Sequence, residues 1–471
     1  MSTSAPVPSA EPMTLFEAGE AAAAAGGPIV AGDPRTPILG FSIDSRTVEP
    51  GDCFVAMPGQ NVDGHDFVER AASLGATAAM VTRPLASPPA GLAILQVADP
   101  VNALQTLASL HRARFDVPFV AVTGSNGKTS TRAAIAATLG ASFPVCSTRG
   151  NLNNHIGLPL SLFRMRRFHR AGVFEVGMNH LGEIAELCRI LRPGMGVITN
   201  VAPAHLEGLG SVENVARAKG ELMEALPASG ELFVNADCEL SRGIAARFAG
   251  AVRPISLDAS GAFARASGLQ VEFATLSGSI SVEGASSEIP FTSPVSGRHM
   301  AYPLLFAAAV AARLGLGAEA IGRGLAQFRP EHGRMEVHRS GEVWIIDDCY
   351  NANPASMEAA LDFLLTAPVE GKRWAVLGDM LELGGHSTHY HRQVLARCEG
   401  AAGLEAAFCF GKEFLDAAGG PTRGGRVELH ASKSAIADTL RARLGPGDAV
   451  LFKGSRGVAL ETILRELFPE G

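Results

Sequence analysis

Short, nearly continuous apolar runs alternate with longer amphipathic stretches along most of the chain. FVAVTG (119–124), VFEVG (173–177), GVITNV (196–201) and ELFVNAD (231–237) are too short for helices and show no polar alternation. Such runs read as strands buried on both faces. Helical segments separate them, which predicts a parallel sheet covered by helices. Between Gly268 and Phe291 the period changes to two, with turn residues interspersed, so antiparallel strands are expected to extend that sheet. Beyond FRPEHGRME come four more apolar runs: VWIIDD, RWAVLGD, AAFCFG and DAVLFKG. Each leads into a polar, Gly-rich loop: DDCYNANP, GDMLELGG, GKE and KGSRG. In open α/β sheets ligands bind beyond the carboxyl ends of strands, so this part should present one loop edge to a shared site.

The N-terminal part mixes short strands with an Ala-rich helix (Glu17 to Gly27), a helical DFVERAASLG and an amphipathic helix from Val101 to Phe115. Val117-Pro118 marks a boundary. The reading is an α/β chain of three domains: residues 1–117, 118–327 and 328–471. A length of 471 residues agrees, at roughly 150 residues per domain.

Composition narrows the class. Hydrophobic residues are 47% and charged ones 18%, enough for several cores and incompatible with disorder of the whole chain. A net charge of -7 argues against an obligate nucleic-acid binder. The 7 cysteines are scattered with no Cys-x-x-Cys pair, which fits reduced thiols in a cytoplasm. The opening MSTSAPVPSAEP lacks the basic and apolar regions of a signal peptide and is expected to fray. The most apolar stretch starts at Met300 and stops at Arg313. It is too short for the ~20 residues of a membrane span and reads as a buried helix. A cytoplasmic monomer without membrane insertion is expected.

Ala121 to Ser130 carries the strongest chemical signal. A strand runs into Thr123, Gly124, Ser125, Asn126 and Gly127, then Lys128, Thr129 and Ser130 open a helix. Backbone N–H groups and a helix N-terminus can wrap phosphates, Lys128 can reach the terminal ones, and Thr129 can hold Mg²⁺. The loop is a variant of the usual phosphate-binding pattern, because Val122 stands where the first Gly would be. Glu175 sits inside an apolar strand, and a buried carboxylate needs a partner or a metal. His205 follows another strand and Lys219 lies on the next helix. Alone, these would be a satisfied structural histidine and a solvated lysine. A free ammonium ligates no cation.

Gly-x-x-Gly-Lys-Thr after an apolar strand resembles the Mur ligases and the related folylpolyglutamate synthetases. Thr129, Glu175 and His205 match the Mur ligase Mg²⁺ positions, and Lys219 in ARAKGE matches a lysine that becomes carbamylated. Ser42, Asp44, Ser45 and Arg46 match a UDP-binding SxDSR element, in which Arg46 suits a diphosphate. TRGNLNNHIGLPLSL, with Gly150, Asn151, Asn153, Asn154 and Gly157, resembles the muramoyl-peptide loop of the branch that adds a terminal dipeptide. YNANP, GDMLELG and FKGSRG match that branch too, whereas the DNPR motif of the ligases adding the third residue is missing.

The resemblance, from about Phe41 to the C-terminus, implies a small UDP-binding domain, a central ATPase domain and a C-terminal Rossmann-like domain. It implies ATP-dependent ligation of D-alanyl-D-alanine to UDP-N-acetylmuramoyl-tripeptide through an acyl phosphate, with ATP and Mg²⁺ as cofactors. Catalysis would rest on Lys128, Glu175, His205 and Lys219. Arg334, Asp348 and Asn351 would face the nucleotide; Lys453, Ser455 and Arg456 would hold the dipeptide carboxylate. The alternatives are another acid–amine ligase of this fold or a non-catalytic nucleotide-binding scaffold. One stretch departs from the family: GRHMAYP (297–303) has Met300 and Pro303 where asparagines are usual. His386, His389 and His391 could tempt a zinc reading, but without a fourth ligand they read as the surface of a helix start.

Overall fold

The computed structural model describes residues 13–59, 62–419 and 425–469. The opening dodecapeptide, expected to fray, lies outside the described residues. Three main sheets follow one another along the chain.

The first has five strands in the order Ile29–Ala31, Ala93–Gln96, Ala78–Val81, Asp52–Val55, Gly40–Ser42. Its first pair is antiparallel and the others are parallel. Helix Pro100–Arg112 starts where Asp99 accepts hydrogen bonds from the backbone N–H of Val101 and Asn102, satisfying two otherwise orphan donors. It leaves this sheet and packs on helices Gly157–Leu162 and Glu183–Leu191 of the next unit.

The central sheet has nine strands. Seven run parallel: Val145–Ser147, Ala171–Glu175, Phe119–Thr123, Met195–Ile198, Glu231–Asn235, Ala251–Ser256 and Ala264–Val271. Leu276–Val282 and Ile289–Ser293 add antiparallel ladders, as the change of period predicts. Alternate residues of Phe119–Thr123 feed different cores. Val120 and Val122 pack with Ile135, Leu304 and Phe306, while Phe119 and Ala121 pack with Leu187 and Leu222. Both faces are therefore covered, and each fully buried Leu or Phe contributes about 1.5–3 kcal/mol. The apolar stretch after Met300 is indeed a buried helix, Ala301–Arg313. No helix among the described residues is long and apolar enough to cross a membrane.

The last sheet has six strands, two more than the sequence suggests. Its order is Glu336–Ser340, Val343–Asp348, Ala449–Lys453, Arg373–Gly378, Ala406–Phe410, Val427–His430. Only the first pair is antiparallel, so five carboxyl ends open on one edge. The two unforeseen strands are the edge strands, with sequences EVHRS and VELH. Edge strands face solvent along part of their length and need no apolar run. His391 also corrects the sequence reading. It is fully buried, stacked edge-on against Phe414, and accepts a hydrogen bond from the Met380 backbone N–H at 3.0 Å. It is a core histidine, not helix-start surface.

Candidate active site

A cleft of about 460 Å³ opens between the carboxyl edges of the central and C-terminal sheets. Its floor is the loop after strand Phe119–Thr123. Gly124 has φ 150°, and a Cβ there would lie 1.8 Å from Thr199 Oγ1, so no side chain fits. Gly127 has φ 75° and turns the chain into helix Lys128–Gly140. The loop is pinned by the neighbouring strand end. Thr199 Oγ1 donates to the Asn126 carbonyl at 2.5 Å, and the Asn126 N–H donates to Asn200 Oδ1 at 2.9 Å. Ser125 Oγ donates to the Ala202 carbonyl at 2.8 Å. This leaves a preshaped helix N-terminus, an anion site by its free N–H groups and dipole. Lys128 Nζ donates to the carbonyl of Gly124 at 2.9 Å, and burial lowers its ammonium below the usual range.

Beside it lies Glu175, 2% exposed at the end of strand Ala171–Glu175. Its carboxylate accepts from Thr129 Oγ1 at 2.9 Å and Asn153 Nδ2 at 2.7 Å. Both donors are neutral, so the buried negative charge faces the cleft without a cationic hydrogen-bond partner. A carboxylate and a hydroxyl are the hard oxygen donors that Mg²⁺ takes, and the pair fits that ion. Lys219 comes from helix Val212–Ala225 and is 1% exposed. Burial, and after it the charge of Lys128, push its ammonium well below the usual lysine range. A lowered pKa favours the neutral, nucleophilic form of the amine. His205 has φ 54° and places Nδ1 2.7 Å from Glu382 Oε2 of the C-terminal domain.

The C-terminal wall brings Arg334, Asp348, Asn351 and Lys453 to the same cleft. The Arg334 guanidinium stands 4.0 Å above the Tyr350 ring. Lys453 is buried and donates to Asp348 Oδ2 at 2.5 Å and to the Asn351 carbonyl at 3.1 Å. Asn151 and Asn154 line the cleft, and Asn154 Oδ1 also caps the helix at Gly157, accepting from its N–H at 2.8 Å. The departing stretch lies on the wall too: Met300, Tyr302 and Pro303 line it, and Tyr302 Oη donates to Asp237 Oδ2 at 2.7 Å.

Two groups of expected residues lie elsewhere. Ser42 ends strand Gly40–Ser42 of the first sheet, Asp44, Ser45 and Arg46 come just after it, and none of the four lines the cleft. There Arg46 grips its own loop, 2.7 Å from Asp44. Ser455 and Arg456 stand just behind Lys453. The Ser455 hydroxyl accepts from the Leu381 N–H at 2.9 Å, and Arg456 lies 3.3 Å from Glu461. The GKE loop turns toward the buried Asp379, which accepts from the N–H of Glu413 and Phe414.

Sequence reasoning gave no role to Asn353, Thr199, Asn200 or Glu382. Asn353 caps helix Pro354–Thr366 through Oδ1 and donates from Nδ2 to Asn126 Oδ1 at 2.6 Å, tying the phosphate loop to the third domain. The usable signal was its place between a strand end and Pro354, where a capping residue belongs.

Three family models match the chain. They are the Mur ligase family catalytic domain over residues 37–112, the Mur ligase middle domain over 122–311, and the Mur ligase glutamate ligase domain over 333–456. A UDP-N-acetylmuramoyl-tripeptide–D-alanyl-D-alanine ligase of Bacillus subtilis is 33% identical, over 92% of this chain and 94% of its own. The Escherichia coli protein of that name is 35% identical, over 91% and 93%. Among solved structures, MurF from Acinetobacter baumannii superposes with a TM-score of 0.86 at 29% identity, covering 97% of this chain and 99% of that one. MurF ligase from Thermotoga maritima in complex with ADP gives 0.79 at 28% identity, over 92% and 97%.

Proposed function

The chain belongs to the Mur ligase family, and we propose that it joins D-alanyl-D-alanine to UDP-N-acetylmuramoyl-tripeptide with cleavage of ATP, a late step of peptidoglycan precursor synthesis. The observation that carries this reading is the cleft itself. A phosphate-binding helix terminus, a half-buried Lys128 and a buried carboxylate line one cleft in a chain that matches ligases of this name over nine-tenths of its length.

A carboxylate is a poor acyl donor, because its leaving group would be oxide. ATP removes that obstacle. The tripeptide's terminal carboxylate oxygen attacks the γ-phosphorus, ADP leaves, and an acyl phosphate forms. The dipeptide amine then attacks the acyl carbon, loses a proton, and phosphate departs. Lys128 and the N–H groups of the loop from Gly124 to Lys128 hold the charge of the transferring phosphoryl group. Thr129, Glu175, His205 and, once carbamylated, Lys219 would hold Mg²⁺, which when bound neutralises phosphate charge. Arg334, Asp348 and Asn351 flank the nucleotide, while Asn151, Asn153 and Asn154 meet the peptide. Ser42, Asp44, Ser45 and Arg46 bind the UDP end; Lys453, Ser455 and Arg456 meet the dipeptide carboxylate. The three domains divide near residues 117 and 327, and each main sheet falls inside one of them. The enzyme acts as a cytoplasmic monomer.

The test is phosphate release from ATP. It should require both UDP-tripeptide and D-alanyl-D-alanine. Release with a single amino acid in place of the dipeptide overturns the assignment.

A further inference from the structure

Outside the cleft, one cluster of ligating side chains has no part in this chemistry. Glu336 and Asp347 are direct partners in the antiparallel ladder at the edge of the third sheet, so their side chains share a face. The linker before the ladder brings His332 to the same face. His332 Nδ1 lies 2.9 Å from Glu336 Oε2, and Nε2 lies 3.8 Å from Asp347 Oδ2. One ligand atom from each residue lies within 4.8 Å of the other two. In a tetrahedral site with bonds of about 2.0–2.2 Å, ligand atoms stand ~3.4 Å apart, so small side-chain rotations close the set.

Asp347 supplies a second, independent observation. It is 1% exposed, and its Oδ1 accepts from the backbone N–H of Cys349 at 3.1 Å and from Cys349 Sγ at 2.7 Å. Among the described residues nothing donates a hydrogen bond to Oδ2, the oxygen turned toward the imidazole. Oδ2 is thus held facing the His332 imidazole 3.8 Å away, where a cation could take both as ligands. The Cys349 contacts already fix the orientation of that carboxylate, as outer-shell groups do around metal ligands.

We propose that His332, Glu336 and Asp347 form a binding site for a divalent transition-metal ion of the Zn²⁺ type, distinct from the nucleotide's Mg²⁺. One imidazole nitrogen with two carboxylate oxygens suits Zn²⁺ better than Mg²⁺, which prefers oxygen alone. His332 is exposed, leaving a fourth position for water. The ion would staple the linker to the third sheet. That linker matters to the cleft: Glu331 pairs with Arg132 of the phosphate-loop helix, and Arg334 covers Tyr350. Met335, between Arg334 and Glu336, has φ 52°, a left-handed conformation that surrounding contacts must hold in a non-glycine residue. Occupancy therefore holds Arg334 at the nucleotide wall.

Zn²⁺ titrated calorimetrically into the full chain, without nucleotide or Mg²⁺, should bind one ion. His332→Ala and Glu336→Gln should each weaken that binding at least tenfold, while Glu175→Gln leaves it unchanged. Co²⁺ in place of Zn²⁺ should give the visible absorption of a four-coordinate ion, lost in His332→Ala. Absence of binding, or equal binding in the two cluster variants, overturns the proposal. So does loss confined to Glu175→Gln, which would put the ion at the catalytic carboxylate. His332 and Glu336 are not core residues, so neither substitution should prevent folding.

Discussion

Glu382 Oε2 lies 2.7 Å from His205 Nδ1, joining the third sheet's loop edge to the central one beside the cleft. Both residues hold left-handed backbone, φ 64° and 54°, although neither is glycine. Such conformations cost of order 1–3 kcal/mol each and persist only where the surroundings impose them. Here the Glu207 N–H donates to the Glu382 carbonyl at 3.0 Å and holds the two loops together. Contact with His205 also keeps the Glu382 carboxyl below its usual range. Glu382 thus positions a residue proposed to face Mg²⁺. Glu382→Ala is expected to lower kcat for phosphate release roughly 10- to 100-fold, the usual scale for an outer-shell partner, with Glu382→Gln retaining more activity. Wild-type turnover in Glu382→Ala would remove that role.

Lys128 and Lys219 share the cleft but should fail differently. Lys128→Ala removes the cation facing the phosphates and is expected to lower kcat at least ~100-fold, with no rescue by added acids. Lys219→Ala removes an anion if the amine is carbamylated. Its activity should fall severely and recover in part with formate or acetate. A carbamate resonance should appear with ¹³C-bicarbonate in the wild type and vanish in Lys219→Ala. An unimpaired Lys219→Ala variant would contradict the carbamate.

The phosphate loop's fit to Thr199 can be tested by one methyl group. Gly124→Ala puts a Cβ against Thr199 Oγ1 and forces a φ of 150° on a residue with a side chain. Strain of about 1–3 kcal/mol should weaken ATP binding roughly ten- to hundredfold. Gly124→Ala combined with Thr199→Ala removes the clash but not the backbone strain, so it should recover only part of the loss. Equal affinity in wild type and Gly124→Ala, measured with a fluorescent nucleotide, would mean that the loop gives way more easily than its packing implies.

The legible part of this molecule is the part governed by local rules. Apolar runs gave the buried parallel strands, and glycines followed by Lys128 and Thr129 gave the phosphate loop, because strand burial and helix starts are set by neighbouring residues. Glu175 was legible because a carboxylate inside a buried strand needs an explanation. Lys219 was not legible on physical grounds alone: its burial comes from tertiary packing, and only the resemblance to a family singled it out. Edge strands such as Val427–His430 carried no apolar signal. The contacts that join domains, Asn353 to Asn126 and Glu382 to His205, connect residues far apart in sequence, and no periodicity reports them.

Acid stability offers a test of the packing between the first two units. His111 is fully buried on helix Pro100–Arg112, with Nε2 3.2 Å from the Met165 carbonyl and its ring edge-on to Phe115. Nδ1 has no partner. Burial pulls its pKa down from 6.5 to about 4, and the charges of Arg114 and Arg166 add to the effect. The unfolded chain therefore binds a proton below pH 6.5 that the folded chain refuses until about pH 4. Stability is full above pH 6.5, declines as pH falls through this window, and levels off below about 4. At 1.36 kcal/mol per unit, the loss between pH 7 and pH 5 is about 2 kcal/mol. His111→Gln keeps an N–H for Met165 but cannot titrate. It should be less stable than the wild type at pH 7, yet its thermal midpoint should fall less between pH 7 and pH 5. Parallel declines in the two proteins would place the acid sensitivity in other groups.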